Sequence, residues 1–201
     1  SEIIDLKVAL PLAKIADKKI FNQTHSVTSG KAVYFMAMDL GLSNADVQHY
    51  YIAGLLHDIG YFDVFSQMFN KRGKLSEEEN KLMQTHPQKG VELLDFTDLP
   101  QIVYDGILYH HERWNGTGYP KKLSGEEIPL VARVIAIVDS FEAMVSPRPF
   151  RPPFSENEAL IKIKEASGIF FDPTLIAPFE NLVSQGLLKP EETPEAKTII
   201  V

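Results

Sequence analysis

The sequence predicts an all-α domain, and three observations carry that prediction. Apolar residues recur at helical spacing in most segments, as Val47, Tyr51 and Leu55 do at i, i+4 and i+8. Ser43, Ser76 and Ser155 each stand three residues ahead of an acidic residue, the pattern of a helix N-terminal capping box. Glycines and prolines fall at the ends of the periodic segments, at Gly41, Gly60, Pro100, Pro129 and Pro173.

In chain order, residues 3–20 read as an amphipathic helix with Ile3, Leu6, Leu10, Ala13 and Ile20 on one side, and Pro11 should bend or divide it. A second helix is expected from about Thr24 to Leu40, with His25 in its first turn and Gly41 at its C-terminal end. Ser43 caps a third, which reaches about Ile59 and ends at Gly60, so the adjacent His57 and Asp58 close it on or near its buried stripe. Residues 61–75 read as a long aromatic loop. The box at Ser76–Glu79 opens a helix that brings Leu82, Met83 and His86 to one side, with Pro87 interrupting before Gln88–Leu94.

Asp98 and Pro100 start the next helix, whose stripe is Val103, Gly106, Ile107 and His110. Pro129 opens the most apolar run, Leu130–Val138, followed by Asp139; its β-branched content suits a strand as well as a helix. A carboxylate embedded there needs a partner, because burying a lone charge is prohibitive. Ser155 caps a helix to about Ser167, and Asp172-Pro173 begins the last, in which Pro178 should cause a kink. Residues 1–188 are expected to form one domain and the polar, Pro-rich 189–201 a loose tail.

The chain has 201 residues, enough for a substantial core. No apolar run approaches the roughly 20 residues that span a bilayer, and no signal-peptide pattern opens the chain. There are no cysteines, which removes disulfides, thiolate metal sites and cysteine nucleophiles, and fits a reducing cytoplasm. A net charge of −7 argues against a nucleic-acid polymer or an anionic membrane as partner.

The stretch from His110 to Pro120 departs from core-building sequence. Two adjacent histidines close an apolar helix, and the loop beyond them holds Gly116, Gly118, Pro120 and the only tryptophan, Trp114. The candidates for chemistry are His25, His57, Asp58, His86, His110, His111 and Asp139, each at a helix end or on a buried helix face. A lone histidine among them reads as a satisfied core or surface residue and a lone His-Asp pair as a cap, whereas Asp139 is the stronger candidate, its bland alternative being a buried ion pair; together they are imidazoles and carboxylates without thiolate, a set that suits Fe, Mn or Zn. Two such metals sharing a carboxylate and a hydroxide make a centre for phosphate-ester hydrolysis. His49 lies in a polar stretch and is expected to face solvent.

His57-Asp58-Ile59-Gly60, then His110-His111-Glu112 and Gly118-Tyr119-Pro120, resemble the HD-GYP family of HD-domain metal-dependent phosphohydrolases. The similarity runs from about Thr24 to Leu182 and includes residues 72–75, 128–133, 148–151 and Phe171-Asp172-Pro173. It implies a helical bundle around a binuclear site and hydrolysis of cyclic di-GMP to linear pGpG and sometimes on to GMP. By position, His25, His57, Asp58 and Asp139 would hold one metal, and Asp58 would bridge to a second held by His86, His110 and His111. Iron is the implied metal, then manganese, with a bridging hydroxide as nucleophile. The two cations would leave the site positive inside an acidic protein, so it could attract a phosphodiester.

Arg148 and Arg151 are candidates for substrate contact through their planar guanidinium forks. The Gly118-Tyr119-Pro120 loop is a candidate surface for a signalling protein partner. Four positions depart from the family pattern. Tyr61 stands where Lys is usual and is a substrate-contact candidate of different reach, with Lys71, Arg72 or Lys74 as substitutes for the lost charge. Asn115 replaces Asp, and Glu142 replaces another Asp. Phe21 stands where some members carry a third-metal Glu, so two metals are expected. The loss of the Lys leaves an alternative open: a weakly active or inactive module that binds a cyclic dinucleotide or a protein.

Overall fold

The computed structural model describes residues 6–18, 25–68, 76–146 and 152–188, with backbone alone for 65–68. Ile3, Ile20, Phe21, Lys71, Arg72, Lys74, Arg148, Arg151 and the 189–201 segment lie outside the described residues. Within them the chain is helical, with two isolated bridges, Asn115 to Ser124 and Ser167 to Phe171, in place of any sheet.

Helix α1 (Leu6–Ala16) runs undivided through Pro11. Its face of Ala9, Ala13 and Ala16 is buried, and packing of that face on the neighbouring helices outweighs the hydrogen bond the proline removes. Asp17, just beyond, is buried and accepts the backbone N–H groups of Ser26 (2.7 Å) and Val27 (3.2 Å). Its carboxylate thereby caps helix α2 (His25–Asp39) from outside, where the unsatisfied N–H groups and the helix dipole favour a negative charge.

Helix α2 packs chiefly on α3 (Asn44–Leu56), which Ser43 caps by accepting the Asp46 N–H at 3.1 Å. The third helix stops at Leu56, and residues 57–60 form a turn. The described part of the expected loop is instead helical: α4 spans Tyr61–Met68, starting directly after the turn, with Val64 fully buried, and 69–75 lie outside the described residues. Gly60 does not end the chain's helical course. A Cβ there would lie 1.9 Å from the His86 carbonyl oxygen, so glycine is what lets the turn press against the next strut of the site.

Helix α5 (Glu77–Met83) has the complete capping box, with Ser76 and Glu79 each accepting the other's backbone N–H. Pro87 does not interrupt a helix: it lies in the first turn of α6 (His86–Leu94), where a missing N–H costs nothing. Next come α7 (Gln101–Tyr109) and α8 (Leu130–Val145), so the β-branched run is helix, long enough to bury eight apolar residues against the core. A second box at Ser155 opens α9 (Glu156–Glu165). Helix α10 (Ile176–Ser184) begins two residues before Pro178, which sits in the first turn, and the expected kink has no hydrogen bond to break. Arg133 of α8 donates to the buried Asp172 at 2.6 Å and to the Ile128 carbonyl at 2.8 Å, tying the start of the last segment to the core.

Candidate metal centre

The turn after α3, the starts of α2 and α6, the end of α7 and the middle of α8 meet at one place, and each delivers a candidate residue there. The seven fall into two groups that share Asp58: His25, His57, Asp58 and Asp139, and Asp58, His86, His110 and His111. Within each group the ligand atoms all lie within 4.8 Å of one another. Asp58 divides its oxygens between them. Oδ2 faces the Nε2 atoms of His25 and His57, both at 3.4 Å, whereas Oδ1 faces those of His86 at 3.1 Å and His110 at 3.5 Å.

The imidazoles are aimed from behind. His57, His86 and His110 each direct Nδ1 at a carbonyl three residues earlier, those of Gly54, Met83 and Ile107, all at 2.8 Å. A carbonyl only accepts, so Nδ1 carries the proton and the Nε2 lone pair points into the site. His25 Nδ1 instead faces Glu142 Oε2 at 3.1 Å, and that oxygen also accepts from Ser29 Oγ at 3.0 Å.

These contacts test whether the residues fit a metal. His57 is fully buried and its Nε2 has no hydrogen-bond partner, an arrangement that costs on the order of 1–3 kcal/mol unless something else satisfies the lone pair. A cation beside the Asp58 and Asp139 carboxylates would do so, and the backed Nδ1–H groups are the usual support for metal-binding histidines. The residues fit.

The electrostatics of the two groups differ. Burial pulls His25 down, but its hydrogen bonds to Asp58 and Glu142 prevail and hold its pKa well above the ordinary histidine value. His57 is likewise raised, Asp58 opposing the effect of burial. Burial dominates at His110 and His111 and lowers both, the second strongly. Burial works to raise Asp58 too, yet the surrounding histidines hold it well below the carboxylate range.

The loop after His111 forms a wall. Glu112 is buried and accepts the backbone N–H groups of Lys121 (2.6 Å) and Leu123 (3.1 Å), which folds the loop back on the helix end. A Cβ at Gly118 would lie 2.4 Å from the Arg113 nitrogen, so the closest approach is open only to glycine. The Tyr119–Pro120 peptide is cis, and the Tyr119 ring stacks on His111 at 4.8 Å between centroids. Trp114 and Tyr119 are both half-buried. Tyr61 stacks on His86 at 4.0 Å, the planes 16° apart.

The seven residues expected from the sequence are thus brought together. His49 is half-buried rather than solvent-facing, and it belongs to neither group. Sequence reasoning passed over the parts played by Glu142, Ser29, Asp17 and Glu112. A signal existed for Glu142, which follows Asp139 by three residues and so shares its helix face; Ser29 follows His25 by four in the same way. The Asp17 and Glu112 contacts are made to backbone and leave no such spacing.

Comparison with known proteins gives a consistent picture. The HD domain family matches residues 8–175. A cyclic di-GMP phosphodiesterase of Pseudomonas aeruginosa is 37% identical over 175 residues, covering 87% of this chain and 42% of that protein. One of Thermotoga maritima is 34% identical over 181 residues, covering 88% and 48%. The chain therefore spans less than half the length of these relatives. Among solved structures, a cyclic GMP-AMP specific phosphodiesterase of Vibrio cholerae superposes with a TM-score of 0.69 at 23% identity, covering 90% of this chain and 49% of that one. At that identity the likeness concerns the fold.

Proposed function

The chain belongs to the HD-GYP family of HD-domain phosphohydrolases, and from that membership we propose that it is a metal-dependent phosphodiesterase acting on cyclic dinucleotides, cyclic di-GMP first among them. The observation that carries the proposal is the divided carboxylate of Asp58, one oxygen toward each histidine group. His25, His57, Asp58 and Asp139 would hold one divalent ion, and Asp58, His86, His110 and His111 a second, iron or alternatively manganese. Such a pair supplies Lewis acidity, activating a water and neutralising phosphoryl oxygens.

The chain's own residues supply placement. The Nδ1 contacts to backbone carbonyls hold one edge of His57, His86 and His110 before any ion arrives, which limits the reorganisation that binding needs. Burial of His57, His86 and His110 excludes competing water from one side of the site. Tyr61, at the rim of the second group, is a candidate to touch the substrate, as are Arg148 and Arg151. The expected product is linear pGpG, with GMP as the end of a second cleavage.

The test is metal content on anaerobically purified protein, followed in the same sample by incubation with cyclic di-GMP. About two Fe or Mn per chain with pGpG appearing is the expected result. Two metals and no product, with 3′3′-cyclic GMP-AMP also uncleaved, would move the reading to a nucleotide-binding or protein-binding module, the role that Tyr61 in place of Lys favours.

A further inference from the structure

Tyr61 is the first residue of α4, immediately after Gly60, whose Cα is pressed against the His86 carbonyl. That approach delivers the phenol ring flat onto the His86 imidazole, 4.0 Å between centroids and 16° between planes. His86 is completely buried, and its Nε2 lies 3.1 Å from Asp58 Oδ1. The Met83 carbonyl anchors one edge of the imidazole through Nδ1, and Nε2 at the other edge also meets His110 Nε2 at 3.2 Å, so the polar contacts hold the edges of the ring and leave its faces to packing. The other aromatic neighbours of His86 meet it at steep angles: His111 at 88° and His110 at 52°. Both belong to the same ligand group and would move with it. Among the described residues, Tyr61 supplies the aromatic face that meets His86 from outside the group.

We propose that Tyr61 is a positioning residue that holds the His86 imidazole by stacking on it, and so sets how tightly the second ligand group retains its ion. The inference rests on reading that group as a metal site. It gives the ring of Tyr61 a task separate from any contact its hydroxyl makes with substrate. Tyr119 on His111 repeats the device at 4.8 Å and 23°, so two of the three histidines of this group are covered by a tyrosine face. The family resemblance implies a lysine at position 61, which has charge but no face.

The experiment is a titration of the metal-free chain with Zn2+, which needs no turnover, on the wild type and on Tyr61→Phe, Tyr61→Leu and His86→Ala. Tyr61→Phe should bind both ions within about twofold of wild type, since the face is kept. Tyr61→Leu should weaken the second ion by about 10–100-fold, the usual effect of removing support behind a ligand, and leave the first unchanged. Leu binding both ions as tightly as Tyr overturns the inference. His86→Ala should lose the second ion; two ions held at wild-type affinity there would overturn the ligand reading itself, whatever Tyr61→Leu does. A measurement without variants at position 61 guards against misfolding. In the metal-free wild type, the His86 ring protons should resonate upfield under the Tyr61 ring current, and unshifted resonances in folded protein overturn the stacking.

Discussion

The half of the site built on His25 and Asp139 gathers ligands from helices far apart in sequence, whereas the other half takes His110 and His111 from a single helix end and His86 from the helix before it. Their surroundings differ more than their ligands do. Asp58 and Asp139 face the first half and Glu142 stands behind it, so its histidines have raised proton affinity. The second half has the shared Asp58 alone against three imidazoles, is covered by tyrosine rings, and has two histidines with lowered proton affinity. The first half would attract a cation by charge. The second would rely on neutral lone pairs held in the right directions, which would make it the half more exposed to errors of ring placement.

The sharpest way to break this comparison is at the residue common to both halves. Asp58→Ala should remove both ions and lower cyclic dinucleotide hydrolysis by roughly a thousandfold or more, about 4 kcal/mol of barrier. His110→Ala, by contrast, should remove only the ion of the second half and leave one metal per chain. Elemental analysis of the two purified variants checks this. Undiminished metal in both would end the binuclear reading, and loss of both ions from His110→Ala would show that the halves do not fill independently.

A smaller effect is expected from Glu142→Gln, which keeps the shape that His25 and Ser29 meet and removes the charge. The first ion should weaken by about 10–100-fold while the second holds, measured by competition with a chelator. Equal weakening of the two ions would mean that Glu142 acts through the fold rather than through His25.

The gathering of the seven side chains was legible in the sequence because each is a polar residue at a helix end or on a face that the helical pattern buries, and burial of a charge without partners is prohibitive. Asp139 inside Leu130–Val145 and His57 at the end of an apolar stripe are the clearest cases. The caps at Ser76 and Ser155 were legible too, since a capping box is a local hydrogen-bond exchange. Helix α4 was not. Gly60 reads as a stop in one dimension, and its actual reason, the approach of the His86 carbonyl, comes from a residue 26 positions later. Tyr61 was visible as a departure from a pattern, but its stacking partner was not, for the same reason. The Asp17 clamp on α2 joins a side chain to two backbone groups, and backbone groups carry no sequence.

The smallest change concerns the wall rather than the ligands. Asn115 replaces the acidic residue usual at the head of its loop, and its Oδ1 accepts both the Thr117 N–H (3.1 Å) and the Thr117 hydroxyl (2.6 Å). A carboxylate oxygen accepts the same two bonds, and the residue is exposed, so the added charge stays solvated. Asn115→Asp should therefore alter stability by no more than about 0.5 kcal/mol and leave two ions per chain, measured by thermal unfolding and elemental analysis. Were the second ion to tighten markedly, the net charge of the loop would count in holding it. The contrast between a half that attracts by charge and a half that holds by shape would then have to be redrawn with Asn115, and not Tyr61, as the departure that matters.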